Sequence, residues 1–182
     1  MDNKLCIIIN GKGAVGKDTL CEAAAQLYKT QNVSSITPIK EIAAQYGWQG
    51  EKDLKARRFL AGLKRVFIEY NDLPNNYLML QYKKFLQSDN EVLFVHIREK
   101  EEIEKFKRSA DNKPVTLLIT RNGIDENEVY GNDADDCVSD FPYDYTFDNS
   151  KLILESKAMF ISLMKNIITD KSLSITGTKT ND

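Results

Sequence analysis

The chain has 182 residues, 42% of them hydrophobic and 29% charged, with a formal net charge of −2. That length suits one domain with a full core, and the near-neutral balance argues against a general nucleic-acid binder, which is normally basic. No apolar run approaches the ~20 residues that cross a bilayer, and Met1-Asp2-Asn3-Lys4 leads straight into an apolar segment, with no room for a secretion signal.

Leu5 to Asn10 is apolar without alternation, the pattern of a strand buried on both faces. A glycine-rich turn follows, and Asp18 to Tyr28 is predicted helical, with Leu20, Ala23, Ala24 and Leu27 on one stripe. Val33 to Ile36 is a short second strand, ended by Pro38, which suits the first turn of a helix reaching Gln45. Gly47-Trp48-Gln49-Gly50 is a loop. Glu51 to Tyr70 is predicted as a long helix with Leu54, Leu60, Leu63 and Phe67 inward. Asp72-Leu73-Pro74-Asn75-Asn76 breaks it before a helix over Tyr77 to Gln87. Glu91 to Ile97 is a third buried strand, Glu99 to Arg108 a charged helix, Val115 to Thr120 a fourth strand and Tyr145 to Asp148 a short fifth. Leu152 to Ile168 closes the domain as an amphipathic helix. A Ser- and Thr-rich tail over 171–182 is expected to be disordered, leaving 1–170 as the folded domain.

Strands alternating with helices give an α/β fold: a three-layer sandwich around a five-stranded parallel sheet. Right-handed crossovers bring the C-terminal ends of all strands to one edge, where ligands bind in such sheets. Residues just past the strands are therefore the candidates for function: Gly11 onward, Thr37 to Lys40, Arg98 and Arg121.

The first of these is the most informative. Gly11-Lys12-Gly13-Ala14-Val15-Gly16-Lys17-Asp18-Thr19 lies between a strand and a helix. This is the arrangement of a phosphate-binding loop, or Walker A motif. Its glycines let the backbone wrap an anion with successive N–H groups. The helix start adds its positive dipole end, and Lys17 reaches the outer phosphates. The spacing fits fully, but Asp18 stands where Ser or Thr usually contacts magnesium. Asp18 and Thr19 are thus the candidate metal residues. The glycines also fit a dinucleotide fingerprint. That reading needs an acidic residue about 20 positions on, where the chain has Ser34-Ser35-Ile36-Thr37-Pro38, and it leaves Lys17 unexplained.

Arg98 and Arg121 follow the third and fourth strands, where guanidinium groups offset the charge that gathers during phosphoryl transfer. Lys55, Arg57, Arg58 and Lys64 lie between Lys52 and Arg65, a pattern that usually marks a solvated helix face. Because this segment follows the second strand, Arg57, Arg58 and Lys40 are the candidate acceptor-phosphate ligands. The acidic segment 125–148 holds Glu126, Glu128, Asp133, Asp135, Asp136, Asp140 and Asp144, and is expected to be a solvated loop. His96 alternates into a strand and is expected to be structural. Cys6, Cys21 and Cys137 have no metal-like spacing. Cys6 and Cys21 sit on core elements, as small buried residues in a reducing cytoplasm.

The loop ending Gly-Lys-Asp-Thr resembles that of phage-type deoxynucleoside monophosphate kinases and, in its Gly-Lys-Asp, that of animal phosphomevalonate kinases. Arg57-Arg58-Phe59-Leu60-Ala61-Gly62-Leu63 is similar to an Arg-x-x-Leu-Gln-x-x-Gly element of the former group, with Ala61 in place of the glutamine and Lys64 near the glycine. The run from Phe94 to Glu102 resembles that group's strand ending Asp-x-Arg, with His96 at the aspartate position. Tyr143 to Asn149 looks like the late strand ending in Asn of nucleotide and dephospho-coenzyme A kinases. The resemblance spans most of residues 4 to 168. It implies a nucleoside-monophosphate-kinase-like fold, ATP with Mg²⁺ as donor, and phosphate contacts from Lys17, Arg57, Arg98 and Arg121. The expected activity is transfer of the ATP γ-phosphate to a phosphomonoester, foremost a (deoxy)nucleoside monophosphate, by a monomer or homodimer that binds neither nucleic acid nor membrane. Three alternatives stand beside it: a kinase for another small phosphorylated or pantetheine-bearing metabolite, a non-catalytic nucleotide-binding module, and an NTP hydrolase.

Overall fold

The computed structural model describes residues 3–111, 113–123, 138–175 and 177. Along these run β1 (Leu5–Asn10), α1 (Lys17–Ala24), β2 (Thr30–Ser34), α2 (Thr37–Gln45), α3 (Leu54–Asn71) and α4 (Leu73–Gln87). They are followed by β3 (Val92–His96), α5 (Lys100–Ser109), β4 (Val115–Thr120), a 3₁₀ turn (Val138–Asp140), β5 (Tyr145–Asp148) and α6 (Ile153–Asp170).

The strands form one sheet in the order β2-β3-β1-β4-β5, and every neighbouring pair is parallel. This is the expected α/β three-layer architecture. β1 lies between β3 and β4, with Ile7 opposite Phe94 and Ile9 opposite Leu117. Its unbroken apolar sequence follows from burial on both sides. Leu5, Ile7 and Ile9 join one core with α1 and α6, while Cys6 and Ile8 join the other with α4 and α5. Phe147 and Phe160 meet edge to face at 5.3 Å in the first core, and Tyr82 and Phe106 do so at 5.9 Å in the second. Ile39 and Ala43 of α2 with Leu60 of α3 make a smaller third cluster.

Several boundaries differ from the sequence expectation. β2 starts at Thr30 rather than Val33, because backbone pairing with β3 from Val92 onward recruits the polar residues Thr30, Gln31 and Asn32 that hydropathy alone excludes. The break between α3 and α4 shrinks to Asp72, whose left-handed backbone (φ 55°) turns the chain. Pro74 then occupies the first turn of α4 and needs no helical N–H partner. α3 starts at Leu54, capped by Asp53, whose carboxylate accepts from Ala56 N–H at 2.7 Å. Leu54, expected inward, is exposed at this helix start; the buried positions of α3 are Ala56, Leu60 and Lys64, one helical turn apart.

The two described cysteines, Cys6 and Cys21, are buried free thiols, and burial pushes the Cys21 thiol up to about 12. Cys137 lies outside the described residues. In the 171–182 segment, Ile175 is buried and Leu173 packs against the first core; Thr176 and 178–182 lie outside the described residues. No helix among the described residues is long and apolar enough to cross a membrane.

Candidate active site

One cavity of about 640 Å³ opens at the C-terminal edge of the sheet. The strand order explains its position. β1 connects outward to β2, whereas β3 connects across β1 to β4, so the chain diverges beside the ends of β1 and β3. The cavity is walled by the loop after β1, the ends of β2 and β3, and one face of α2 and α3.

The loop enters the cavity under tight constraint. Asn10, fully buried at the end of β1, accepts a hydrogen bond from Gly11 N–H at 2.8 Å. Its amide donates to the Arg98 carbonyl (3.0 Å) and to the Tyr143 hydroxyl (2.7 Å), which in turn donates to the Val138 carbonyl (2.8 Å). Burial pushes Tyr143 up to about 12, so it remains a neutral donor. Asn10 thus ties the start of the loop to the backbone that carries Arg98. Ala14 takes a left-handed conformation (φ 62°) that an L-residue adopts only at a cost. Gly16 (φ 91°) ends the loop, and α1 begins at Lys17.

At the far end, Asn149 follows β5 and donates its amide to the Val15 carbonyl at 2.8 Å. A Cβ on Gly16 would lie 2.4 Å from that amide nitrogen, so the glycine is what lets Asn149 reach the loop. Replacing Asn149 by alanine strands the Val15 carbonyl. The expected result is nucleotide affinity lower by about five- to tenfold, of the order of one hydrogen bond. Titration calorimetry with ADP checks this, and unchanged affinity would show that the loop holds its shape without Asn149.

Lys17 lines the cavity, and its ammonium donates to the carbonyls of Gly11 and, at 2.9 Å, Lys12. Asp18 and Thr19 line the same wall beside it. Their carboxylate and hydroxyl fit Mg²⁺, which prefers oxygen donors and takes one or two protein ligands together with phosphates and water. No cluster of three His, Cys, Asp or Glu side chains that would hold a metal by itself occurs among the described residues.

Further cations line the cavity with the loop. Arg98 lines the cavity from the end of β3. Lys40 on α2 lines it too, its ammonium 5.9 Å from the centre of the Trp48 ring. Arg57 lines it from α3, its Nε donating to the Lys52 carbonyl at 3.0 Å. Arg58 does not: it is exposed and outside the cavity wall, because neighbouring helix residues point about 100° apart. Arg121 is also placed apart from Arg98. It lines a second, smaller cavity on the other side of the loop, with Gly16, Thr19, Asn149, Lys151 and Ile153.

Three features of the site were not legible as such in the sequence. His96, expected to be structural, lines the cavity with its Nε2 3.4 Å from Asn32 Oδ1. Burial lowers its pKa to about 4, with Lys17 and Arg98 adding to the effect against Asp18, so the imidazole is neutral at pH 7. Asn10 carried no motif signal beyond its place before the glycine. Lys64 belonged to a charge run that reads as a solvated face, yet it is buried, with its ammonium 2.7 Å from Glu99 and 2.7 Å from Glu102.

Of the acidic segment, Asp144 is a structural tie. It accepts from Thr116 N–H (2.8 Å) and from the Thr116 hydroxyl (2.9 Å), joining the start of β5 to β4. Glu126, Glu128, Asp133, Asp135 and Asp136 lie outside the described residues.

No family model matches the chain, and no curated protein matches it in sequence. Solved structures do match it in shape. A protein of Chloroflexus aurantiacus J-10-fl provisionally described as a kinase superposes with a TM-score of 0.56 at 18% identity, covering 98% of this chain and 100% of its own. A sugar kinase from Janibacter sp. HTCC2649 gives a TM-score of 0.50 at 9% identity, covering 94% and 99%. At these identities the likeness shows the fold alone: the chain shares with these two proteins an α/β architecture around a parallel sheet.

Proposed function

We propose that the protein transfers the γ-phosphate of ATP to a small phosphomonoester, foremost a (deoxy)nucleoside monophosphate. The observation that supports this reading is that the glycine loop and further cations line one cavity. Gly13, Ala14, Gly16 and Lys17 of the glycine loop line it together with Lys40, Arg57 and Arg98. A nucleotide hydrolase needs only the loop. Phosphoryl transfer between two phosphate-bearing molecules needs both sets, because two anions must be held in line against their own repulsion.

In this reading the loop amides and Lys17 bind the β- and γ-phosphates, and Lys17 exchanges the Gly11 and Lys12 carbonyls for phosphate oxygens. Arg98, its backbone fixed by Asn10, offsets charge at the transferred group. Arg57 and Lys40 orient the acceptor phosphate, and Arg58 lies too far out to share that task. Arg121 serves the donor from the second cavity, beside the loop's Gly16 and Thr19. Asp18 and Thr19 would hold Mg²⁺, which neutralises donor charge when bound. An acceptor that is already an anionic phosphate needs no general base, and a neutral His96 in the wall is consistent with that.

A second reading has a specific observation in its favour. The Janibacter neighbour is named a sugar kinase, and Asp18 lines the cavity where it could take a proton from a hydroxyl acceptor. Measuring ADP release with ATP–Mg²⁺ across nucleoside monophosphates, sugar phosphates and free polyols separates the readings. ADP release dependent on a monophosphate is the expected result. Release dependent on an unphosphorylated polyol selects the second reading, and release without any acceptor selects hydrolysis.

A further inference from the structure

Lys64 projects from α3 into a wall of the main cavity, where Glu99 also contributes. Its side chain is only 7% exposed and is gripped at 2.7 Å by carboxylates from the corner after β3 and from the first turn of α5. A fold that needed only a strut between α3 and α5 would use one carboxylate or an apolar contact, since burying three charged groups is costly. The grouping is also unbalanced. Glu102 Oε1 is buried with no donor from another side chain or the backbone, the Glu99 and Glu102 carboxyls are within hydrogen-bonding reach of each other, and the two share one ammonium. Lys40, Arg57 and Arg98 line the same cavity, and Lys105 pairs with Asp72 (2.6 Å) at the junction of α3 and α4, which packs against α5. The charges acting directly on Glu102 are those of Lys64 and Glu99.

We propose that Lys64 joins Arg57 and Lys40 as a ligand for the acceptor's anionic group, and that Glu99 and Glu102 are internal anions that hold its place until the acceptor displaces them. The proposal rests on the reading of the cavity as the meeting place of a nucleotide and a second anion. On binding, the acceptor's oxygens accept from the Lys64 ammonium in place of the carboxylates. Glu99 and Glu102 then face each other with less positive charge between them, and one of them takes up a proton from solvent. Burial, with Glu99 adding to it against the charge of Lys64, already raises Glu102 to about 7, while at Glu99 burial is outweighed only by the Lys64 charge acting together with hydrogen bonds from Glu102, Lys64 and the backbone, which hold it below its ordinary value. Glu102 is therefore the group that gains the proton. Above pH 7 it must be protonated as the anion binds; below pH 7 it is protonated beforehand. Binding of an acceptor anion should accordingly tighten as pH falls through 7, by on the order of tenfold between pH 8 and pH 6.

Sulfate is the probe, because it mimics a phosphate dianion without titrating in this range. It is titrated calorimetrically into the full-length protein, with the glycine loop filled by ADP–Mg²⁺, in buffers of different ionisation enthalpy. The expected result is uptake of nearly one proton at pH 8 and almost none at pH 6. Glu102→Gln, which fixes the neutral form, should bind sulfate with the tighter affinity at both pH values and without proton uptake. Lys64→Met should bind sulfate at least about tenfold more weakly, with Arg57 and Lys40 left to hold it. A mere strut would leave sulfate affinity indifferent to Glu102→Gln. Sulfate binding unchanged in Lys64→Met, absent from the unsubstituted protein, or still proton-linked in Glu102→Gln overturns the proposal. If Lys64→Met does not fold, the Glu102→Gln result decides alone. Absence of heat on adding ADP–Mg²⁺ would instead count against the glycine loop, and sulfate titration of a Lys17→Ala protein would then test Lys64 separately.

Discussion

Replacement of Lys17 by alanine should leave the protein folded and lower phosphoryl transfer by about a hundred- to a thousandfold, the scale of losing one preorganised charge contact at a developing anion. The fold should survive because the Lys17 ammonium donates only to carbonyls of its own loop, Gly11 and Lys12, and its side chain lines the open cavity rather than the core. The loop's shape is set elsewhere, by Asn10 at its start and Asn149 at its end. Nor does α1 depend on this side chain: Leu20 N–H already bonds to the Gly16 carbonyl, and Leu20, Cys21, Ala23 and Ala24 are buried in or near the core. ADP release in the presence of acceptor, read beside a thermal melt followed by circular dichroism, checks both halves. Activity near that of the unsubstituted protein would remove Lys17 from the reaction.

Gly11→Ala should have the opposite profile, damaging the fold first. Gly11 has φ +147°, and a Cβ built on it would lie 2.4 Å from the Ile119 carbonyl oxygen and 3.0 Å from Val15 Cγ2. The first contact is with the backbone of β4, inside the sheet, where no side-chain rotation relieves it. β1 and β4 would have to separate at the point where Asn10 pairs with Leu118. The expected loss is about 3 kcal/mol or more, combining backbone strain with overpacking. Urea unfolding measures it, and a loss below about 1 kcal/mol would show that the loop shifts outward without disturbing β4. The comparison with Gly13→Ala is a useful control, since a Cβ on Gly13 meets nothing within 4 Å.

These two substitutions separate what the motif means chemically from what it means sterically. That Lys17 starts the helix after the glycine loop and lines the cavity was legible from spacing alone, because strand, glycine turn and helix follow one another in adjacent residues. Gly11 was legible as a turn residue, but its close approach to Ile119 depends on β4 lying next to β1, a pairing that no local pattern records. The same distinction runs through the cations. Arg57 and Arg58 are equivalent in sequence, and only the rotation of α3 puts Arg57 in the cavity wall and Arg58 in solvent. Arg98 and Arg121 both follow strands, yet β3 and β4 flank β1 on opposite sides, so the two arginines emerge on opposite sides of the loop. Lys64 is the sharpest case. A lysine in a charge run is normally solvated, and what buries this one is a pair of carboxylates 35 and 38 residues further along the chain.

By itself the sequence determined the class of fold, the extents of β1, β4 and β5, and the glycine loop with its lysine. These are signals written in adjacent residues, because hydropathy period and turn chemistry act over a few positions. The tertiary structure alone decided which strand lies beside which, which arginines share a cavity, and which charges are taken out of water. Those outcomes depend on strand order and helix rotation, which are fixed by packing between segments distant along the chain. The character of Lys64 follows from the same cause: a charge's energy is set by the groups and solvent around it, and those neighbours exist only once the chain has folded.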